Sequence, residues 1–196
     1  KTICPAGYYC VGGEKFECPA GSLGEAGGQW NPTCDGQCPR GYYCVGGEKH
    51  ECGSVDKYCP AGSSAPTNVT TGHYSGPSDV NENVRYEETL CPVGYYCVGG
   101  EKFECASGYF GNSTGLTTSQ CSGMCKDGYY CESGSTRDDQ HECGSVDKYC
   151  PAGSETPLVV PDGYYSGPED ASETTRSEKT ICPAGYYCVG GEKFEC

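Results

Sequence analysis

A seven-residue unit, C-P-x-G-Y-Y-C or a close variant, occurs five times in this chain. It spans Cys4–Cys10, Cys38–Cys44, Cys91–Cys97, Cys125–Cys131 (as CKDGYYC) and Cys182–Cys188. The Pro and Gly of the unit set a turn that enters a short strand carrying the Tyr pair. The unit starts lie 34, 53, 34 and 57 residues apart. This long–short alternation divides a period of 178 residues into halves of 87 and 91, and Lys179–Cys196 repeats Lys1–Cys18 letter for letter. Self-similarity at a fixed period outranks other signals in fold assignment. The chain is therefore read as a segment of a longer repetitive polypeptide, with 182–196 opening the next repeat.

Each half carries eight cysteines in two modules of four. The first module, 1–34, has Cys4, Cys10, Cys18 and Cys34; its copy, 91–121, has Cys91, Cys97, Cys105 and Cys121 at the same spacing. The second module, 35–59, has Cys38, Cys44, Cys52 and Cys59. Its copy, 122–150, has Cys125, Cys131, Cys143 and Cys150, with four extra residues in ESGSTRDDQHE where the first copy reads VGGEKHE. Cys182, Cys188 and Cys196 are three members of a fifth module, which accounts for the odd total. Two acidic spacers, 60–90 and 151–181, follow the second modules. Both begin PAGS and contain YSGP, at Tyr74–Pro77 and Tyr165–Pro168. The shared tetrapeptide predicts a defined path folded back on the modules rather than a free linker.

Leu, Ile, Val and Phe together number 22 of 196 residues, a content that by itself predicts disorder. The 19 cysteines reverse that reading, because cross-links stand in for an apolar core. The fold expected is small and disulfide-rich, built of short β-hairpins and irregular loops in an elongated tandem repeat, with almost no helix. GYYCV and KFEC are the strands, and Gly12-Gly13, Gly46-Gly47 and Gly99-Gly100 are the turns between them. Successive Tyr residues point to opposite faces of a strand; one is expected to pack on a disulfide and the other to meet a neighbouring module. The hairpin is expected to bring the first and third cysteines of a module together. That pairs Cys4–Cys18, Cys10–Cys34, Cys38–Cys52, Cys44–Cys59, Cys91–Cys105, Cys97–Cys121, Cys125–Cys143, Cys131–Cys150 and Cys182–Cys196. Four cysteines admit three connectivities, and sequence alone does not choose among them.

Disulfides persist in oxidising compartments, so the expected location is secreted or extracellular. No run of residues approaches the ~20 apolar positions of a membrane span. A net charge of −14 argues against nucleic-acid or anionic-membrane partners. No G-x-S-x-G, H-E-x-x-H or Gly-rich phosphate loop is present, so no enzyme is expected. The three histidines, His50, His73 and His141, do not form a metal motif, and C-x2-C spacing is absent. Asp79-Val80-Asn81-Glu82 resembles the acidic run of calcium-binding epidermal-growth-factor-like domains, but the next cysteine is Cys91, and a solvated acidic face is expected. No cofactor is expected beyond attached sugar. Asn68-Val69-Thr70 and Asn112-Ser113-Thr114 are N-glycosylation sequons, whereas Asn31-Pro32-Thr33 is excluded by its proline. Thr70-Thr71, Thr117-Thr118-Ser119 and Ser172–Thr175 are candidate O-glycan clusters.

The recurring CPxGYYC…GG…C pattern resembles ephrin-receptor-like and tumour-necrosis-factor-receptor-like cysteine-rich repeats. The resemblance covers all four modules and implies short hairpins strung along disulfides in rod-like chains. Receptors and structural fibres share such repeats. Near-verbatim copies favour a fibre, whose units must meet their neighbours identically, with other repeats or identical strands as the partner. The expected assembly is similar to the glycoprotein hairs and glycofibrils of flagellated or free-living protists. The alternative is the stalk of a ligand-binding or adhesion receptor, favoured by the varied loops Ser22–Thr33 and Ser107–Gln120.

Overall fold

Short strands, paired turns and nine disulfides make up a computed structural model that describes residues 1–196. All sheets are two-stranded, eleven in number, and the single helical element is a 3-10 turn at Glu82–Val84. The chain divides into two units: Lys1–Leu90 with Val98–Glu101, and Cys91–Cys97 with Lys102–Cys196.

In the first unit β1 (Tyr8–Val11) pairs with β2 (Glu14–Glu17), and Val11 faces Glu14 across Gly12-Gly13. Both glycines have positive φ, 62° and 89°, as the two-residue turn that matches strand twist requires. β3 (Ser22–Leu23) pairs with β4 (Gly36–Gln37), and β5 (Tyr42–Val45) with β6 (Glu48–Glu51). The spacer is built in the same way. β7 (Lys57–Tyr58) pairs with β8 (Thr67–Asn68), and β9 (His73–Gly76) with β10 (Glu87–Leu90). The hairpin of β11 (Tyr95–Val98) and β12 (Glu101–Glu104) contributes its tip to this unit and its strand bodies to the second.

The second unit repeats the series. β13 (Tyr109–Phe110) pairs with β14 (Gly123–Met124), β15 (Tyr129–Tyr130) with β16 (His141–Glu142), and β17 (Lys148–Tyr149) with β18 (Leu158–Val159). β19 (Tyr164–Gly167) then pairs with β20 (Glu178–Ile181), and β21 (Tyr186–Val189) with β22 (Glu192–Glu195). The spacers are thus paired β structure, with an acidic loop only at the tip of β9–β10 and of β19–β20.

The buried apolar side chains are cysteines, with Val160 as the single exception. Their connectivity differs from the expected one. The bridges join first to second and third to fourth: Cys4–Cys10, Cys18–Cys34, Cys38–Cys44 and Cys52–Cys59, then Cys91–Cys97, Cys105–Cys121, Cys125–Cys131 and Cys143–Cys150. Cys182 joins Cys188, and Cys196 is unpaired and exposed, so the expected Cys182–Cys196 bridge is also replaced. The reason lies in register. In the hairpin the partner of Cys18 is Gly7, whose carbonyl accepts the Cys18 N–H at 2.8 Å. Cys4 lies beyond that point, and the Pro5–Gly7 turn (Tyr8 N–H to Pro5 O, 3.3 Å) folds it back beside Cys10, with the Cα atoms 5.8 Å apart. The third cysteine leaves the strand free to close the next loop.

Glycine links successive hairpins. Gly7 N–H donates to Gly24 O at 2.7 Å, and Gly24 N–H to Gly47 O at 2.9 Å. In the second unit Gly94 N–H donates to Gly111 O, and Gly111 N–H to Ser135 O, each at 2.8 Å. Gly21 has φ +84°, donates to Cys44 O at 2.9 Å, and would place a Cβ 2.4 Å from Gly62 O; Gly108 stands against Gly153 O in the same way. A side chain at these positions meets a neighbouring backbone, so the close approach itself demands glycine.

Candidate functional site

The most regular surface of the molecule is the pair of hairpin faces set by the GYYC and GGEK segments. Because a two-residue turn fixes register, Phe16 lies opposite Tyr9 and their rings stack at 5.4 Å. Tyr187–Phe194 and Tyr96–Phe103 repeat this, and His50 and His141 replace the Phe against Tyr43 and Tyr130 at 5.2 and 5.1 Å. On the other face Lys15 sits 4.0 Å over the Tyr8 ring, with Lys49 over Tyr42 and Lys102 over Tyr95. These Tyr pairs therefore have cross-strand partners, an aromatic on one face and an ammonium on the other. His50 and His141 are stacking residues at equivalent positions.

The spacer hairpins carry what sequence reasoning missed. Arg85 donates from Nη1 to Ser75 O at 2.9 Å, and Arg176, six residues before Cys182 as Arg85 is before Cys91, donates to Pro168 O. Arg176 is only 9% exposed, and the Nε atoms of both arginines are buried without a hydrogen-bond partner. Counting back from the next cysteine would have exposed this shared arginine, because YSGP is also at a constant distance from that cysteine in both halves.

Glu88 and Lys179 hold the same place in the two halves, each three residues before a cysteine. Glu88 accepts the N–H and hydroxyl of Thr70 and the Tyr58 hydroxyl, the last at 3.3 Å. Burial acts to raise its pKa, but the Thr70 donors, the nearby His73 and the Tyr58 hydroxyl outweigh that effect and hold the carboxyl below its ordinary range. Tyr58 moves up, through burial first and then through the Glu88 charge and hydrogen bond. In the second half Lys179 lies 5.5 Å over Tyr149 and 5.3 Å over Tyr164. The charge is reversed and the partners change with it: Thr70 gives way to Pro161 and His73 to Tyr164.

The two sequons are placed differently. Asn68 lies exposed in β8, with its Thr70 hydroxyl held by Glu88; Asn112 lies exposed in the loop after β13, where Ser122 Oγ accepts its N–H at 3.1 Å. Leu158 and Val159 occupy in β18 the positions of Thr67 and Asn68 in β8, and they are exposed. Of the acidic run, Asp79 and Glu82 are exposed, and Asn81 caps the 3-10 turn by accepting Asn83 N–H at 2.9 Å. No group of three or more His, Cys, Asp and Glu side chains is gathered as a metal site. No helix is long and apolar enough to cross a membrane. No protein-family model matches the chain, and no curated protein is similar to it.

Proposed function

We propose that this chain is a structural repeat of a secreted or cell-surface glycoprotein that assembles into an extracellular fibre, with further copies of the same repeat as its partner. The observation that carries this reading is the recurrence of the same backbone bonds, within and between hairpins, in the two halves. Cys18 N–H to Gly7 O and Gly21 N–H to Cys44 O recur as Cys105 N–H to Gly94 O and Gly108 N–H to Cys131 O. A binding ectodomain has no need to preserve every such contact, whereas a filament whose units meet identically does. The nine disulfides call for an oxidising compartment. The resemblance to ephrin-receptor-like and tumour-necrosis-factor-receptor-like repeats is compatible with such a location, and the exposure of Asn68 and Asn112 suits N-linked sugar on both. Electron microscopy of native material, together with glycopeptide mass spectrometry, tests the proposal. Regular filaments with sugar at both asparagines support it; isolated membrane-attached stalks, or bare asparagine at both sites, would end it.

A further inference from the structure

The fold pins the sequon at Asn68 along its whole length and leaves the one at Asn112 loose. Asn68 pairs with Lys57 across β7–β8. Val69 N–H donates to Asp56 O at 2.8 Å, and Thr70 O accepts His73 N–H at 3.0 Å. Thr70 gives both its N–H and its hydroxyl proton to Glu88. A hydroxyl has one proton to donate, so none is left for another acceptor in the folded chain. Asn112, Ser113 and Thr114 instead occupy an exposed loop, where Ser122 Oγ accepts Asn112 N–H at 3.1 Å and the Thr114 hydroxyl has no partner. Both asparagines face solvent, so exposure does not separate the two sites. The pinning does.

The clamp occurs together with the sequon. The second half has Val159-Val160-Pro161 in place of Asn68-Val69-Thr70, and Lys179 in place of Glu88. Lys179 lies over Tyr149 and Tyr164 rather than against the strand end. A carboxylate thus stands at this position in the half that offers it a hydroxyl. Glu88 also follows Asn68 by 20 residues. At about 5–20 residues per second, the sequon is made about 1–4 s before its clamp.

We infer that Asn68 receives N-linked sugar before β9 and β10 pair, whereas Asn112 stays open to it after folding. The donor class is an oligosaccharide on a lipid diphosphate. Asn Nδ2 bonds to the anomeric carbon, the bond from that carbon to the diphosphate oxygen breaks, and the lipid diphosphate leaves with the electron pair. The amide proton passes to a base of the transferase. Recognition of Asn-x-Thr needs the hydroxyl as well as the amide. The enzyme therefore reaches folded Asn68 only when Glu88 releases Thr70 and β8 leaves β7, and the population of that open form sets the rate. The inference rests on the glycoprotein part of the proposed function.

The test compares sugar-free chain in two states, folded with its disulfides intact and reduced with its cysteines alkylated. Each is incubated with purified oligosaccharyltransferase and a lipid-diphosphate oligosaccharide, and glycopeptide mass spectrometry follows occupancy of both asparagines with time. In the folded chain Asn68 should lag Asn112 by tenfold or more, roughly the effect of one charge-assisted hydrogen bond, and in the reduced chain the lag should vanish. Glu88→Ala should speed folded Asn68 about tenfold and leave Asn112 unchanged. Glu88→Lys, the residue of the second half, should do the same, and non-reducing peptide mapping for Cys52–Cys59 checks that each variant has folded. Equal rates at the two sites of the folded chain would overturn the inference, as would an undiminished lag in the reduced chain or an unchanged Asn68 rate in both folded variants. Bare asparagine at both sites of native material would instead end the glycoprotein reading, which these rates do not address.

Discussion

Replacing Gly21 by alanine tests whether glycine-mediated backbone approach holds neighbouring hairpins together. Gly21 has φ +84°, where an L-residue costs about 1–2 kcal/mol. The added Cβ falls 2.4 Å from Gly62 O and 3.3 Å from Gly62 C, so backbone must move. Gly21 N–H donates to Cys44 O at 2.9 Å and its carbonyl accepts Cys38 N–H at 2.8 Å, so the movement loosens at least one inter-hairpin bond. A buried hydrogen bond left unmade costs about 1–3 kcal/mol. The expected total is about 2–5 kcal/mol, large against the stability of a small domain. Gly12→Ala is the control: its φ is +62°, but nothing lies within 4 Å of its Cβ, so only the conformational cost of about 1–2 kcal/mol applies. The assay is denaturant unfolding with disulfides intact, with hydrogen exchange of the Cys38 and Gly21 amides as the local readout. Equal destabilisation by the two variants, or unchanged exchange at Cys38 in Gly21→Ala, would refute the clamp.

Three further outcomes are expected. Glu88→Gln should destabilise the first unit by about 1 kcal/mol at neutral pH, the scale of a hydrogen-bonded charge. Because the folded pKa of Glu88 lies below its unfolded value, that contribution is present above the ordinary carboxylate range near ~4.3 and fades as pH falls through it toward the lower folded value; a gap between variant and parent that persists undiminished at low pH would contradict this. Removing the Cys18–Cys34 bridge, which spans 16 residues, should cost about 3 kcal/mol against about 2 kcal/mol for Cys4–Cys10, which spans six, and peptide mapping under non-reducing conditions should recover Cys18 joined to Cys34. Tyr9→Ala should remove a stacked pair and cost about 0.5–1.5 kcal/mol beyond the lost area, as measured in a double-mutant cycle with Phe16→Ala.

The hairpins were legible in the chain because their signals are local. Gly12-Gly13 between GYYCV and EKFE specifies a two-residue turn, and 19 cysteines against 22 Leu, Ile, Val and Phe specify a cross-linked interior. The internal repeat is likewise a property of letters alone. Disulfide connectivity was not legible, because all three pairings of four cysteines satisfy the same spacing. What decides it is that Gly7, rather than Cys4, stands opposite Cys18, leaving Cys4 to turn back on Cys10. The spacers' shared YSGP signalled a defined path, but their strands were not legible, because they run only two to four residues and β8 takes its partner β7 from the preceding module. The half-buried Arg85 and buried Arg176, and the exchange of Glu88 for Lys179 with their separate partners, depend on residues 8 to 30 positions apart meeting in the folded chain. Sequence determined the unit, its period and the covalent chemistry of its core, since each is written within a few adjacent residues. Only the tertiary structure decided which cysteine meets which and which glycines admit a neighbouring backbone, because those outcomes depend on how one hairpin is set against the next.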